Sequence, residues 1–213
     1  MKDNVFFVSG IDTNVGKSYA TGYLAKTWNE QGVRTITQKF IQTGNVGMSE
    51  DIELHRKIMG TGLLPEDESG LTMPEIFTYP CSPHLAAEID HRPIDFDKIE
   101  KATRQLSETY DAVLLEGAGG LMVPLTRDLL TIDYVAQKNY PLIFVTSGKL
   151  GSINHTLLSL EAVTRRGIRL HTVAYNLFPE EDDDIIRRDT EAYIRDLLAK
   201  EYPETHFVIV QKL

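Results

Sequence analysis

Short apolar runs alternate with longer segments of helical periodicity along the 213 residues of this chain. Brief runs rich in β-branched residues are typical of buried strands, and apolar positions three or four apart are typical of helices. The predicted strands are 5–9, 33–40, 111–115, 141–146, 170–176 and 207–210. The predicted helices are 18–31, 51–59, 82–89, 96–109, 152–166 and 182–200. Residues 63–83, rich in proline, glycine and acids, are predicted to form a long irregular connection.

The regular alternation of strands and helices indicates the fold class. It predicts an α/β fold built on a doubly wound, mostly parallel sheet. No proline- or glycine-rich linker divides the chain, so we expect residues 1–213 to form a single domain. In sheets of this kind ligands bind at the carboxyl ends of the strands, and candidate site residues are therefore sought there.

The first of these strand ends carries a phosphate-binding pattern. Residues 6–18 read F-F-V-S-G-I-D-T-N-V-G-K-S, an apolar run, a polar loop and then Gly-Lys-Ser at the start of a helix. Such a loop cradles phosphates with backbone N–H groups, and its lysine and hydroxyl serve the outer phosphates and Mg²⁺. Gly10 and Gly16 enclose five residues, whereas the usual pattern has four. We predict a nucleotide site of the P-loop NTPase type, with an ordinary strand-to-helix turn as the alternative.

Other charged residues follow neighbouring strands. Lys39 ends the second strand, where it is either a solvated surface charge or a partner of the phosphate loop. Glu116 ends the third strand and precedes three glycines, which suits a Mg²⁺ ligand, although a helix-capping acid is an alternative. Asp51 is the candidate for a second carboxylate near the metal, against the alternative of a simple acid at a helix N-terminus.

A second anion site is predicted where residues 149–155, K-L-G-S-I-N-H, join a strand to a helix. The free N–H groups of this helix start suit a carboxylate-bearing substrate, although any helix start offers the same donors. His84 and His155 lack the spacing of metal ligands, and we interpret both as hydrogen-bonded structural residues.

Composition narrows the range of partners. A net charge of −9 argues against non-specific nucleic-acid binding and against anionic membrane surfaces. Cys81 is the only cysteine, so intrachain disulfides are excluded and a reducing cytoplasm is the expected location. No segment has the pattern of a signal peptide or the length of a transmembrane helix.

Six motifs in order resemble those of the dethiobiotin synthetase family over roughly residues 4–177. They are G-I-D-T-N-V-G-K-S, K-F-I-Q-T-G, S-P-H-L-A-A, L-E-G-A-G-G, K-L-G-S-I-N-H and A-Y-N. The five-residue spacing in the phosphate loop is the one that this family uses. The resemblance implies an ATP- and Mg²⁺-dependent ligase that closes a ureido ring from 7,8-diaminononanoate and CO₂, releasing ADP and phosphate. It also implies a homodimer, with the substrate carboxylate bound across the interface.

Site residues are assigned by the same resemblance. The expected catalytic residues are Lys17, Lys39 and Thr13. The expected nucleotide-binding residues are Asn14, Val15, Gly16, Lys17, Ser18, Tyr19, Glu116, Gly117, Gly119 and Asn176, the last of which reads the base. The expected substrate-binding residues are Thr43, Gly151, Ser152, Ile153 and Asn154. The expected Mg²⁺ ligands are Ser18, Asp51 and Glu116.

Two departures from the family and two rival hypotheses accompany this assignment. Asn14 stands where relatives often carry an acid, so a charged role at that position is lost. The final V-I-V-Q-K-L lacks the Leu-Gly-x-x-Pro segment that follows the last strand in the family, so modest nucleotide selectivity is expected. One rival is an ATPase switch of the partitioning or division-site type, but residues 11–13 lack the second lysine typical of those loops. The other is an amide ligase of corrinoid synthesis, for which the chain is too short to include the usual glutamine-hydrolysing domain.

Overall fold

The computed structural model describes residues 4–178 and 183–212. The strands in chain order are β1 Val5–Gly10, β2 Thr35–Lys39, β3 Gln42–Thr43, β4 Ile76–Phe77, β5 Ala112–Gly120, β6 Leu142–Ser147, β7 Leu170–Asn176 and β8 His206–Val210. The helices are α1 Lys17–Glu30, α2 Glu50–Met59, α3 Pro65–Glu68, α4 Pro83–Ile89, α5 Phe96–Thr109, α6 Thr131–Lys138, α7 Ser152–Arg165 and α8 Asp184–Glu201.

Six of these strands form one sheet in the order β2-β5-β1-β6-β7-β8. Every pairing in this sheet is parallel, and β3 and β4 form a separate parallel pair. The predicted α/β class with a doubly wound, mostly parallel sheet is therefore confirmed. β1 lies inside the sheet, between β5 and β6, so the loop after it opens at the centre of the carboxyl edge.

Four stretches differ from the sequence prediction, and the first is the short strand β3, which was not predicted. Residues 63–83 contain the short helix α3 and the strand β4 instead of being irregular throughout. Helix α6 was not predicted. Strand β5 continues through the glycines to Gly120, because Gly120 pairs with Gly10 of β1 after a shift in register. The predicted first residue of the last helix, at position 182, lies outside the described residues.

Both faces of the main sheet are covered by helices, and its central strands are buried. One apolar cluster includes Phe7, Val113 and Phe144, and the other includes Val8, Leu114 and Ile143. Consecutive residues of one strand thus enter opposite clusters, which is what a strand buried on both faces requires. No helix within the described residues is long and apolar enough to cross a membrane.

Candidate active site

The pairing of strands in the main sheet brings two of the predicted site residues, Lys39 and Glu116, together. In the parallel pairing of β2 with β5, Lys39 is the register partner of Glu116. In the pairing of β1 with β5, Glu116 is also the partner of Val8, two residues before the phosphate loop. Both side chains therefore lie beside that loop, at the carboxyl edge where the topology predicts a ligand site.

The phosphate loop joins β1 to α1 through Gly16. Gly16 has φ 83°, in the left-handed region that glycine adopts without strain, and it caps the start of α1. A Cβ at this position would also lie 2.8 Å from the carbonyl oxygen of Phe178. A side chain here would therefore be strained and would collide with its surroundings, so the loop geometry requires glycine.

Lys17 points back over the loop. Its Nζ donates hydrogen bonds to the carbonyl oxygens of Asp12 at 2.8 Å and Thr13 at 3.2 Å. The side chain is buried, and this burial lowers the pKa of Lys17 from 10.5 to about 8. Within the described residues no ion pair reaches this ammonium group, which leaves it suited to an anionic ligand.

Lys39 and two carboxylates form a compact charged cluster. Lys39 Nζ lies 2.5 Å from Asp51 Oδ2 and 2.8 Å from Glu116 Oε1. Burial alone would lower the pKa of Lys39, but the charges of Glu116 and Asp51 outweigh it and raise this pKa above its ordinary value. Burial would likewise raise the pKa of Glu116, yet Lys39 and His55 hold it well below its usual range. Lys39 and Glu116 are therefore both charged at neutral pH.

Three oxygen groups in this cluster have the chemistry of a hard-cation site. Ser18 Oγ lies 2.5 Å from Asp51 Oδ1 and 2.9 Å from Glu116 Oε1. The two carboxylates and the hydroxyl that were predicted as Mg²⁺ ligands thus converge, and they fit Mg²⁺, which keeps several water or phosphate oxygens as ligands. In residues 4–178 and 183–212, no group of three His, Cys, Asp or Glu side chains is arranged to hold a metal.

Behind Glu116 lies a buried polar network that the sequence analysis missed. His55 Nε2 lies 2.8 Å from Glu116 Oε2, and His55 Nδ1 lies 3.0 Å from Thr37 Oγ1. The guanidinium of Arg56 donates to Thr37 Oγ1 at 2.8 Å and makes two 2.8 Å bonds to Asp67. All five side chains belong to residues that are buried. The network forms only when α2 packs against β2. In the sequence, His55 cannot be distinguished from an exposed polar residue of a surface helix.

A cavity of about 820 Å³ opens above these groups. The predicted site residues that line it are Thr13, Asn14, Gly16, Lys17, Ser18, Tyr19, Lys39, Thr43, Asp51, Glu116 and Gly119. The lining residues that were not predicted are Ile41, Gln42, Glu50, Leu54, Pro80, Cys81, Ser82, Pro83, Ala118, Val123 and Phe178. Phe178 is half-exposed, and its ring centroid is 5.7 Å from that of Tyr19, so an aromatic pair borders the cavity.

Several predicted residues support the cavity without lining it. Val15 is buried in the loop, and a Cβ on Gly117 would come within 2.9 Å of the Phe7 ring. Asn176 is fully buried, and its Nδ2 donates to the carbonyl oxygen of Val15 at 2.9 Å and also contacts that of Phe178. The amide that was predicted to read the base is therefore engaged with the phosphate loop and its neighbour.

The predicted carboxylate site lies elsewhere in the chain. Gly151 caps the start of α7 with φ 93°, and the segment 151–154 follows β6 rather than β1. Ser152 Oγ is buried against Ser147 Oγ at 3.1 Å, whereas Asn154 is exposed. None of these four predicted residues is among the described residues that line the cavity.

Comparison with known proteins identifies close relatives. A family model described as an AAA domain matches residues 4–203. The protein named ATP-dependent dethiobiotin synthetase BioD 2 of Pasteurella multocida is 52% identical over 206 residues, which cover 97% of this chain and 96% of that protein. The protein of the same name from Haemophilus influenzae is 57% identical over 184 residues, covering 86% of this chain and 96% of the relative.

Solved structures with a similar fold are more distant in sequence. Chloroplast FtsY from Physcomitrella patens has a TM-score of 0.55 at 15% identity, covering 100% of this chain, which spans 60% of the FtsY chain. A ParA family ATPase from Chlorobium tepidum TLS has a TM-score of 0.53 at 12% identity, covering 99% of this chain and 85% of that one. At these identities the likeness shows the fold alone, which is the predicted P-loop NTPase type.

Proposed function

Since the chain belongs to the family of ATP-dependent dethiobiotin synthetases, a family of enzymes, we propose that it closes the ureido ring of dethiobiotin. The reaction consumes 7,8-diaminononanoate, CO₂ and ATP and releases ADP and phosphate. The observation that carries this proposal is the convergence of Lys17, Lys39, Asp51 and Glu116 on one cavity. Phosphoryl transfer needs this combination of cations and carboxylates around the reacting phosphate.

Each charged side chain has a proposed role in handling phosphate. The backbone of the phosphate loop and Lys17 bind the outer phosphates of ATP, and Lys39 stabilises negative charge on the γ-phosphoryl group as it moves. Ser18, Asp51 and Glu116 would hold Mg²⁺, which supplies further charge neutralisation when it is bound.

The proposed chemistry has three steps. One amine of the diamine adds to CO₂ and loses a proton, which gives a carbamate. A carbamate oxygen then attacks the γ-phosphorus while the bond to the ADP oxygen breaks, which gives a carbamic–phosphoric anhydride. The second amine attacks the anhydride carbonyl, loses a proton and expels phosphate, which closes the ring.

The remaining lining residues position these reactants. Thr13 and Thr43, which both border the cavity, orient the nucleotide and the carbamate. Tyr19 and Phe178 provide an aromatic wall against which a base can stack. Asn176 remains the proposed polar contact of the base, and to serve it the amide must share or exchange its bonds to the loop carbonyls.

We propose that the protein is a homodimer in which the second subunit supplies the site for the substrate carboxylate. The segment 151–154 does not line the cavity of its own chain, which supports the contribution of these backbone donors to the neighbouring subunit's site. Leu150 and Leu158, which flank the segment, are 80% and 59% exposed, and such apolar surface suits a subunit contact. The cytoplasm is the proposed location, since Cys81 is a free thiol.

Fixation of label into an acid-stable product tests the overall reaction. The protein is incubated with 7,8-diaminononanoate, labelled bicarbonate and MgATP, and the mixture is then acidified. A free carbamate loses CO₂ in acid, whereas a closed urea retains the label. We expect retained label that depends on both ATP and the diamine. ATP hydrolysis without retained label would contradict the proposal and would favour a nucleotide switch.

Mixed dimers test whether the site is shared between subunits. Lys17→Met disables the phosphate loop, and Asn154→Asp places a negative charge at the proposed carboxylate site. If each site combines the loop of one subunit with residues 151–154 of the other, mixing the two inactive variants should restore about a quarter of the sites. Absence of any recovery after verified subunit exchange would confine the site to one chain.

A further inference from the structure

His55 is a polar residue on the buried face of a helix. It belongs to α2, the helix that also supplies Asp51, and its side chain is fully buried. Its two ring nitrogens face different elements of the main sheet, Glu116 on β5 and Thr37 on β2. A buried imidazole with both nitrogens engaged by side chains is held in one orientation.

The directions of these hydrogen bonds follow from the chemistry of the partners. The Glu116 carboxylate can only accept, so the nitrogen that faces it, Nε2 of His55, must carry the hydrogen. Thr37 Oγ1 accepts from Arg56 Nη1, so its own hydrogen is available for Nδ1 of His55. For the neutral imidazole the bonds therefore run in one direction, from Arg56 through Thr37 and His55 to Glu116.

Both ends of this chain are fixed. The Arg56 guanidinium forms a two-point ion pair with Asp67, at 2.8 Å for each bond, and Asp67 also accepts from Thr72 at 2.6 Å and from the Leu64 backbone at 2.8 Å. At the other end, Glu116 presents Oε2 to His55 and Oε1 to Ser18 and Lys39. The two carboxylate oxygens thus have separate partners.

We propose that His55 is a positioning residue, which holds Glu116 by Oε2 so that Oε1 remains directed at the cation site formed with Ser18 and Asp51. This inference rests on the proposed Mg²⁺-dependent function. Partners that orient a ligating carboxylate contribute strongly to metal affinity, and their loss typically lowers it by about 10- to 100-fold. His55 makes no contact with the cavity itself, so its effect must pass through Glu116.

Three substitutions at position 55 separate positioning from packing. His55→Gln places an amide N–H near the position of Nε2 and keeps the donor to Glu116. His55→Asn places its amide near Nδ1, so it keeps a polar group near Thr37 but loses the donor to Glu116. His55→Leu fills the space without either bond. Thr156→Val, which removes a buried hydroxyl paired with Thr146 at 2.8 Å, is the control for the loss of an unrelated buried hydrogen bond.

The measured quantity is the ratio of the dissociation constants of ADP without and with Mg²⁺, determined by calorimetry for each variant. By linkage this ratio reports the affinity of the protein–ADP complex for Mg²⁺, and the affinity of free ADP for Mg²⁺ cancels between variants. We expect the ratio to fall about tenfold or more in His55→Asn and His55→Leu and to stay within about threefold of wild type in His55→Gln and Thr156→Val. ADP affinity without Mg²⁺ should change little in all four.

The outcomes distinguish the inference from the function on which it rests. A wild-type protein in which Mg²⁺ does not change ADP affinity would overturn the metal assignment and the role of His55 with it. A wild-type ratio that Glu116→Gln abolishes but His55→Asn preserves would overturn the His55 inference alone. If His55→Leu fails to fold, the contrast between the Gln and Asn variants still decides.

A measurement on the ligand-free protein provides an independent check. In the ¹⁵N spectrum of protein labelled at its six histidines, the resonances that His55→Gln removes belong to His55. They should show hydrogen on Nε2 and an unprotonated, accepting Nδ1. Hydrogen on Nδ1 with a bare Nε2 would contradict the direction of the chain and overturn the proposal.

Discussion

Lys17→Met is expected to make the ligand-free protein more stable while it removes activity. The ammonium group of Lys17 is buried with only carbonyl partners among the described contacts, and its pKa is lowered from 10.5 to about 8. A shift of this size corresponds to about 3 kcal/mol against the charged form. Methionine keeps most of the side-chain volume and carries no charge. Asp12 and Thr13 are exposed residues, so their carbonyls can bond to water instead, and we expect a net gain of about 2 kcal/mol at pH 7.

The pH dependence of this gain is fixed by linkage. Below pH 8 both folded and unfolded wild-type chains carry the proton on Lys17, so the full penalty is present. Between pH 8 and 10.5 the unfolded chain binds more protons at this site than the folded one, so wild-type stability rises with pH. The advantage of the variant should therefore be largest at neutral pH and shrink through this window.

Urea unfolding of both proteins without nucleotide, at a series of pH values from 7 to about 10.5, measures the difference directly. Lys101→Met on the exposed face of α5 removes the same charge from the surface and should change stability by no more than about 0.5 kcal/mol. ATP-dependent turnover of Lys17→Met should fall by about 10²-fold or more, since the transferred phosphoryl group loses a cation. A variant less stable than wild type at pH 7, or a difference that does not shrink with pH, would refute the reasoning.

The remaining predictions concern the carboxylate cluster and the base. Lys39→Ala should lower kcat more than it raises the KM for ATP, and a change confined to the KM would contradict this role. The same substitution removes a charged partner of Glu116, so the free energy of unfolding of the ligand-free protein should fall by about 3 kcal/mol. Glu116→Gln should raise the Mg²⁺ concentration needed for half-maximal activity, and an unchanged titration would return Glu116 to a structural role. The preference for ATP over GTP or CTP in kcat/KM should stay below about a thousandfold, because the Asn176 amide is shared with loop carbonyls and one such group supplies about 1–3 kcal/mol.

The sequence predicted the sheet and the phosphate loop because their determinants are local. Apolar runs mark the buried strands, and Gly16 marks a backbone position that requires a left-handed conformation. Lys39 and Glu116 could be placed at the same edge because each stands at the end of a predicted strand of a parallel sheet. Their direct pairing depends on the order of strands, which places β5 between β2 and β1, and no local pattern specifies that order.

The features that were missed depend on tertiary contacts. Glycine is unfavourable in strands, so the extension of β5 to Gly120 could not be read from its residues; pairing with Gly10 stabilises it. Helix α6 spans only Thr131–Lys138 and has too few turns for a clear periodicity. His55 becomes informative only when α2 packs on the sheet and brings it to Glu116.

The two lysines of the cavity differ in how their charge is compensated, and this difference suits two separate tasks. Lys39 is neutralised within the protein by Asp51 and Glu116, so its position is fixed before a ligand arrives. At Lys17 the charges of nearby carboxylates offset the burial only in part, and the remaining penalty destabilises the ligand-free fold by about 3 kcal/mol. An anionic phosphate placed beside Lys17 would relieve that penalty, which is equivalent to more than a hundredfold in affinity. The protein thus retains at Lys17 an unfavourable charge that a bound anion would compensate, a typical exchange of stability for binding.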